Sequence, residues 1–447
     1  LGRPWAPHAG SWTMNPGKPL GVGIVGFGTV GRGAAEILTS HSRALTDRAG
    51  IALCLAAVCR RRPLPANEIP QRAQAFQDWR ALVASPQVGI VVETIGGTTV
   101  ALEVVRAALE AGKPVVTANK NLLAMHGEQI FALAAERHLP VGVEAAVAGG
   151  VPVVRAIAAA AAGDEILSVQ GILNGTANYI LGRMESAGLE FSAALAEAQQ
   201  AGYAEPDPTL DLSGVDARDK LAILARLAFG AGLDAGAIFT QGLDGIGAVD
   251  VHYARLLGGV IRLLGCAERS AAGVHLSVRP WWVPRDSLLG RVQGVNNAVV
   301  LHGRRVGRQM FYGPGAGGAA TGAAVVADLV DVAAAFAASR MGARTPPGFA
   351  AGPALPLALP PIAPWYLRLT VADRPGILAR AAGILAAQDI NIDSVVQEPG
   401  MDKRRLSFVI TTEPAAEPAV AAAEAAIQAT GDLLEPLLRL RMAEVAP

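Results

Sequence analysis

The sequence predicts an α/β protein: a parallel sheet flanked by helices, then a longer α+β region, then a small α/β module at the C-terminus. Three observations carry this. From about residue 20 to residue 149, short apolar stretches alternate with helical ones, the rhythm of a sheet covered on both faces. After Gly149 the helical stretches lengthen and strands become occasional. Residues 343–364, "ARTPPGFAAGPALPLALPPIAP", hold seven prolines and read as a stiff linker. The expected divisions are a disordered extension at 1–18, a parallel-sheet domain at 19–149 and an α+β domain at 150–342. Residues 310–342 are expected to pack back on the first domain. The linker at 343–364 and a module at 365–447 complete the chain.

The elements follow in order. "LGVGIVGFGTVGRGAAEIL" begins as a strand over Val22–Val25, turns on glycines and becomes a helix. "IALCLAAVCRRR" is a second buried strand and "VGIVVETIGG" a third. "TTVALEVVRAALEAG" is a helix with Leu102, Val105, Ala108 and Leu109 on one face, a cap at Thr98 or Thr99, and a stop at Gly112. "KPVVTANK" is a fourth strand, 121–137 a helix and "PVGVEAAV" a fifth strand. Helices at 151–162, 176–187, 192–201 and 213–229 follow, with possible strands at "EILSVQGIL" and "GVHLSVRPWWV". "FYGPGAGGAATGAAVVADLVDVAAAFAA" is a glycine turn running into a helix. The last module reads strand "WYLRLTV", turn "ADRPG", helix "ILARAAGILAAQ", strands "NIDSVVQE" and "RRLSFVITT", and a helix at 416–429.

Bulk properties exclude several classes. Lys plus Arg is 38 and Asp plus Glu is 38, so no charge excess draws the chain to nucleic acid or an anionic membrane. No run of 18 uncharged apolar residues appears, and "LGRPWAPHAGSWT" lacks the apolar core of a signal peptide. Cys54, Cys59 and Cys266 form no C-x-x-C pair, which points to a reducing, cytoplasmic setting.

The glycines need context. With 51 of them, chance alone yields roughly 0.7 matches to G-x-G-x-x-G. Gly21-Gly23-Gly26 lies inside a strand, and Gly313-Gly315-Gly318 comes late with no strand alternation after it. Only Gly26-Gly28-Gly31 follows a strand, opens a helix and begins a βαβ unit. There the backbone of Gly26, Phe27, Gly28, Thr29, Val30 and Gly31 can approach a pyrophosphate at a helix N-terminus, the geometry of a Rossmann-type dinucleotide site. The next strand ends in Arg60, Arg61 and Arg62 where an NAD site usually places an acid. Arginine suits a 2′-phosphate, so NADP(H) is favoured with NAD(H) possible.

Chemistry concentrates at "GYAEPDPTLDLSGVDARDK", residues 202–220. Glu205, Asp207, Asp211, Asp216 and Asp219 crowd there, although only 17% of the chain is charged. Ser213 and Asp216 fit an S-x-x-D capping box, and Asp216 and Lys220 an i,i+4 ion pair. The functional alternative is a receptor for a small zwitterion, with "EPDP" stiffened by its prolines, carboxylates holding an ammonium and Lys220 serving an oxygen. A second lysine, Lys120 in "TANK", closes the fourth strand, at the edge where open α/β sheets bind ligands.

Taken together, "GFGTVG", "AGKPVVTANK", "EAAVAGGVP", "GILNGTANYIL", "AGYAEPDPTLDLSGVDARDKLAIL" and "YGPGAG" make residues 20–335 closely resemble homoserine dehydrogenase. The resemblance implies reversible NAD(P)H-dependent reduction of L-aspartate 4-semialdehyde to L-homoserine, in threonine, methionine and isoleucine biosynthesis. It implies Lys220 as proton donor, with Lys120 near the same oxygen and the cofactor. It implies Glu205, Asp216 and Asp211 as substrate-binding acids, and Asn174, Gly175 and Thr176 as pocket lining. It implies Gly317 over the nicotinamide, and a monovalent cation (Na⁺ or K⁺) at Glu144 with carbonyls of Val147, Gly149 and Val151. "GGAATGAA" departs from the family's usual form, which leaves Gly315 and Gly318 open as contacts.

"LTVADRPGILARAAGILAAQDINIDSVVQE" resembles an ACT domain, a ferredoxin-like regulatory module. Asp373, Pro375 and Gly376 match its strand-to-helix turn, and Asn391 and Ile392 its next strand. The resemblance implies feedback control by L-threonine and pairing of domains in a homodimer or homotetramer. Two other readings compete. One is a catalytically silent amino-acid sensor with a vestigial dinucleotide fold; intact Lys120, Lys220, Glu205 and Asp216 speak against it. The other is a phosphorylating semialdehyde dehydrogenase, for which no cysteine sits beside a base.

Overall fold

The structure, a computed structural model, describes residues 18–230, 235–338 and 355–443. The expected extension, except Lys18, and the expected linker up to residue 354 lie outside the described residues. The chain forms two compact units. The first gathers the described residues within 1–169, 219–237 and 297–355, and the second those within 170–218, 238–296 and 356–447.

In chain order the elements are β1 (Leu20–Val25), α1 (Thr29–Ser40), α2 (Ser42–Ala49), β2 (Leu53–Cys59), β3 (Gln74–Phe76), α3 (Trp79–Ala84), β4 (Ile90–Glu93), α4 (Thr99–Glu110), β5 (Val115–Thr117), α5 (Lys120–Glu136) and β6 (Val141–Gly142). Then come α6 (Val153–Gly163), β7 (Ile166–Ile172), α7 (Gly175–Ala187), α8 (Phe191–Gln200), α9 (Thr209–Leu212), α10 (Val215–Phe229), β8 (Phe239–Thr240), α11 (Ala248–Leu256), β9 (Gly259–Ser270), β10 (Gly273–Pro284), β11 (Asn296–Gly303), β12 (Gly307–Pro314) and α12 (Gly318–Ala338). The C-terminal module supplies β13 (Trp365–Val371), α13 (Ile377–Ala387), β14 (Ile392–Val396), β15 (Leu406–Thr412), α14 (Glu417–Ala429) and β16 (Leu438–Met442).

In the first unit, six parallel strands lie in the order β3-β2-β1-β4-β5-β6. This is the doubly wound order, in which the crevice at the strands' C-terminal edge takes the ligand. The continuous apolar runs in β1 and β4 are buried throughout, as helix cover on both faces requires. Three details depart from the sequence reading. The α4 face is set by Ala101, Val104, Val105, Ala108 and Leu109, and Leu102 is half-exposed. Thr98 precedes α4 without donating or accepting a side-chain cap bond. The fifth expected strand is two residues long, because Glu144–Ala146 turn into a 3₁₀ segment.

Helix α12 is long and apolar enough to cross a membrane by length and composition. Half of it is buried, and Val325, Leu329 and Ala333 share a core with Ala34, Leu38, Ile24 and Val92. Small residues set this packing. A Cβ on Gly33 would lie 2.2 Å from the Gly318 carbonyl oxygen, and one on Gly322 would lie 2.7 Å from the Ala34 nitrogen. The late glycines therefore bring α12 against α1.

In the second unit, strands run β9-β10-β16-β13-β15-β14, with β8 beside β10. The last four give the ferredoxin-like order of fourth, first, third and second strand, and their core gathers Trp365, Leu369, Phe408, Ile410, Leu385 and Ile427. The module is not a separate body. Its last strand, β16, pairs with β10 through Trp281↔Arg441 and Trp282↔Met442, making one sheet. The described end of the linker also lies on this unit, with Leu357 bridging Val274 and Ala363 bridging Ala415.

Candidate active site

The nucleotide crevice is built by glycines with different jobs. Gly26 has φ +104°, and a Cβ there would sit 2.5 Å from the Thr94 carbonyl. The Thr94 hydroxyl donates to the Gly26 carbonyl at 2.6 Å, tying β1's turn to the end of β4. A Cβ on Gly31 would meet the Gly26 oxygen at 2.4 Å. Gly28, the N-cap of α1, has open space where its Cβ would be. That opening at a helix N-terminus fits a pyrophosphate. Phe27 is buried under the Arg32 guanidinium, while Thr29 and Val30 begin the helix. A Cβ on Gly318 would lie 3.0 Å from Thr29, and Gly317 beside it has φ +109°. The N-terminus of α12 thus abuts that of α1, both in this unit. Arg60, Arg61 and Arg62 follow β2 at the same edge.

Lys120 is the first residue of α5. Asn119 before it caps the helix by accepting from Leu122 N–H at 3.1 Å, and its amide donates to the Gly97 carbonyl at 2.6 Å. Behind it lies Glu93, fully buried at the end of β4. Its carboxylate accepts from Ile95 N–H at 2.7 Å and from the Thr117 hydroxyl at 2.6 Å. Burial pushes the Glu93 carboxyl above its ordinary range, against the pull of these bonds. Sequence reasoning missed Glu93. The signal was present in a carboxylate closing the wholly apolar "VGIVV".

Lys220, on α10, belongs to the same unit as Lys120; both are half-buried. Arg226 of α10 bridges Glu128 of α5 at 3.3 Å, fastening the two lysine-bearing helices.

The second unit holds the acids. Asn174 caps α7 by accepting from Ala177 N–H at 2.8 Å. Its amide nitrogen donates to Asp211 Oδ1 at 2.7 Å and to Asp216 Oδ2 at 2.9 Å, so one side chain gathers two carboxylates. Asp216 is buried and Asp211 half-buried. A Cβ on Gly175 would meet the Val295 oxygen at 2.4 Å, and the Thr176 hydroxyl donates to the Tyr203 carbonyl at 2.8 Å. The expected capping box at Ser213 and Asp216 does not form. Gly214 takes φ +82° and breaks the chain between α9 and α10, so α10 starts at Val215 with Asp216 in its first turn. Asp207 is used locally: Thr209 donates to it from N–H at 3.1 Å and from its hydroxyl at 2.5 Å, and these bonds hold its carboxyl below the usual range. Glu205 is exposed, and its carboxylate makes no hydrogen bond or ion pair among the described residues.

At the expected cation site the Glu144 carboxylate is engaged within the chain. Glu144 accepts from Val154 N–H at 2.8 Å, Arg155 N–H at 3.0 Å and Arg155 Nε at 2.9 Å, capping α6. Oε1 accepts one of these bonds and Oε2 two, so a cation here would share the carboxylate with the Arg155 guanidinium. In the main chain beside it, Ala148 and Gly149 are both left-handed, at φ +55° and +54°, and the Val151 carbonyl accepts from Val153 N–H at 2.8 Å. Among the described residues no cluster of three His, Cys, Asp or Glu side chains could hold a metal. Asp328 accepts from Glu144 N–H at 2.8 Å, and burial, then the Glu144 charge, push its carboxyl up to about 7.

In the C-terminal module, Gly376 at φ +91° opens α13, Asp373 and Pro375 are exposed, and the Asn391 amide donates to Glu413 at 3.1 Å beside Ile392.

Comparison with known proteins agrees across the chain. The family described as homoserine dehydrogenase matches residues 152–330, the homoserine dehydrogenase NAD binding domain residues 26–165, and the ACT domain residues 365–432. The homoserine dehydrogenase of Pseudomonas aeruginosa is 41% identical, covering 96% of this chain and all of that one. That of Neisseria gonorrhoeae is 39% identical over 95% of this chain and 99% of its own. Among solved structures, a homoserine dehydrogenase from Thiobacillus denitrificans superposes with a TM-score of 0.90 at 37% identity, covering 96% of this chain and 99% of that one. A hyperthermophilic archaeal homoserine dehydrogenase in complex with NADPH gives a TM-score of 0.61 at 25% identity, covering 73% of this chain and all of that one.

Proposed function

The chain belongs to the homoserine dehydrogenase family, and we propose that it interconverts L-aspartate 4-semialdehyde and L-homoserine with NADP(H) preferred over NAD(H). The observation that carries the site assignment is the carboxylate pair gathered by Asn174, with Lys220 one helical turn beyond Asp216 on α10. Asp211, Asp216 and Glu205 bind the substrate's ammonium, and Asn174, Gly175 and Thr176 line its pocket. Lys220 gives its proton to the oxygen that becomes the hydroxyl, and Lys120 stabilises the charge growing there. Gly26–Gly31 and Gly317 would hold the dinucleotide, whose nicotinamide would supply or accept the hydride. Arg60 at the end of β2 suits a 2′-phosphate. Glu93, through Thr117, fixes the strand edge from which Lys120 projects. Main-chain oxygens of Val147, Gly149 and Val151 hold a monovalent cation, while Glu144 acts through α6 instead of as a direct ligand.

L-Threonine is the proposed effector acting through the ACT domain, and a homo-oligomer the proposed assembly, supported by β14 as an edge strand with Val395 exposed. A cytoplasmic setting suits an amino-acid biosynthetic enzyme whose three cysteines are unbridged. Following NADPH absorbance on addition of L-aspartate 4-semialdehyde tests the function directly. Steady oxidation supports it; no oxidation by folded, NADPH-binding protein turns the reading toward a silent amino-acid sensor.

A further inference from the structure

At the C-terminal edge of the parallel sheet, hydrogen bonds from Glu93, Thr117 and Asn119 close into a ring. Glu93 ends β4 and Thr117 ends β5, opposite each other in the ladder; both are fully buried, and Asn119 is nearly so. The Asn119 main-chain N–H donates to the Thr117 hydroxyl at 3.1 Å, and that hydroxyl donates to Glu93 Oε2 at 2.6 Å. Glu93 Oε1 accepts from Ile95 N–H at 2.7 Å. Two residues further on, the Gly97 carbonyl accepts from the Asn119 side-chain amide at 2.6 Å, which returns the ring to its start. Gly96 and Gly97 are both left-handed, at φ +80° and +70°, a conformation that lets so short a loop turn back.

The ring touches functional segments on two sides. Asn119 caps α5, whose first residue is Lys120, by accepting from Leu122 N–H. On the other side, Thr94 donates its hydroxyl to the Gly26 carbonyl at 2.6 Å and its N–H to the Val25 carbonyl at 2.9 Å, which seats the loop on the glycine turn. All of these residues belong to the first unit.

Joining two strand ends does not require this arrangement. Every hydrogen bond that the Glu93 carboxylate makes is an accepted one, and among the described residues no Lys, Arg or His pairs with it. A buried carboxylate without a cation is destabilising, and an apolar pair would hold β4 to β5 without that penalty. A carboxylate so placed beside a cleft marks a functional site. Because the Thr117 hydroxyl accepts from Asn119, its own hydrogen is free for Glu93. Asn119 is thus gripped by its main chain and by its side chain, and Asn119 sets where α5 begins.

We propose that Glu93 is a positioning residue for Lys120: through Thr117 and the Ile95–Gly97 loop its carboxylate locks Asn119, and with it the N-terminus of α5, against the glycine turn. The effect on turnover rests on the reading of Lys120 as a group at the reacting oxygen; the placement of Lys120 does not.

The test starts from Glu93→Gln, which keeps the side chain's size but has one acceptor oxygen, so its amide NH₂ faces either the Ile95 N–H or the Thr117 hydroxyl. One readout is trace acylation of lysines by acetic anhydride, followed by peptide mass spectrometry. The rate at half-buried Lys120 should rise severalfold in the variant, while exposed Lys403 and buried Lys113, at the opposite edge of the sheet, keep theirs. The other readout is a double-mutant cycle. Glu93→Gln alone should lower kcat about 10- to 100-fold, the scale of a misplaced catalytic group, with NADPH affinity kept. In a Lys120→Ala background it should lower kcat by no more than about twofold, since nothing is left to position. Thr117→Val should reproduce the loss and Thr117→Ser, which keeps the hydroxyl, should restore it; if Glu93→Gln fails to fold by circular dichroism, this pair decides. Unchanged acylation of Lys120, a rise shared by Lys113, losses that multiply in the double variant, or equal losses in Thr117→Val and Thr117→Ser would each overturn the proposal. Acylation needs no turnover, so a wild-type protein that is inactive, yet whose Lys120 alone gains reactivity in Glu93→Gln, fails the enzymatic reading and upholds this one.

Discussion

Asn174 donates its side-chain amide to Asp216 at 2.9 Å while its carbonyl oxygen caps α7. One residue therefore starts a helix and holds a buried carboxylate, and the two jobs can be separated. Asn174→Ala loses both; loss of the cap alone costs roughly 1 kcal/mol. Asn174→Ser restores the cap but cannot reach two carboxylates. We expect both variants to raise KM for homoserine about 10-fold or more, the scale of one lost interaction of about 1.4 kcal/mol. Thermal melting should drop in the alanine variant and recover in the serine variant. Wild-type KM in both would remove Asn174 from the site.

The glycine turn makes an ordered prediction. Gly26→Ala places a Cβ against the Thr94 backbone in a left-handed conformation, and Gly31→Ala against the Gly26 carbonyl. Both should lower thermal stability, by roughly 1–3 kcal/mol each. Gly28→Val enters open space, so the fold should survive while NADPH affinity falls, read by fluorescence titration. Equal NADPH affinity in Gly28→Val would move the pyrophosphate elsewhere.

Cofactor choice should follow the basic end of β2. Replacing Arg60, Arg61 and Arg62 together with alanine is expected to raise KM for NADPH about 10-fold or more, as loss of a charge-assisted phosphate contact does, and to leave NADH nearly unchanged. Comparable losses with both cofactors would show that these arginines do not select the 2′-phosphate.

Stability should depend on pH through Asp328. Its carboxyl is raised to about 7 by burial and by Glu144, against an unfolded value near 4. Between those values the native state binds more protons than the unfolded one, so this contribution is full below about pH 4 and is lost as pH rises through about 7. The slope reaches about 1.4 kcal/mol per pH unit within the window. Asp328→Asn should flatten the curve of urea-unfolding free energy between about pH 4 and 7. An unchanged slope would place the titration on another group.

The sequence announced the parallel sheet because its strands are buried on both faces and so read as unbroken apolar runs, as in β1 and β4. It announced the dinucleotide turn because Gly26, Gly28 and Gly31 sat between such a strand and a helix. Strands β9, β11 and β12 were missed, since a mixed sheet between helices leaves a less regular pattern. The closing strand β16 was hidden because arginines alternate with leucines: Arg441 is buried and Arg439 half-buried, stacking on Trp281 and Trp365. The capping box at Ser213 was a pattern that a left-handed Gly214 overrode. The hydrogen bonds of Glu144 to the α6 N-terminus form only in the folded chain, so no local pattern signals them. The pairing of Asp211 with Asp216 by Asn174, some forty residues away, was likewise beyond any local pattern.

The most direct measurement is turnover by Lys220→Ala set beside its NADPH affinity. With an ammonium required at the reacting oxygen, reduction of L-aspartate 4-semialdehyde should fall by a factor on the order of 10² to 10⁴ while NADPH binds as before. Near-normal turnover in that variant would contradict the account.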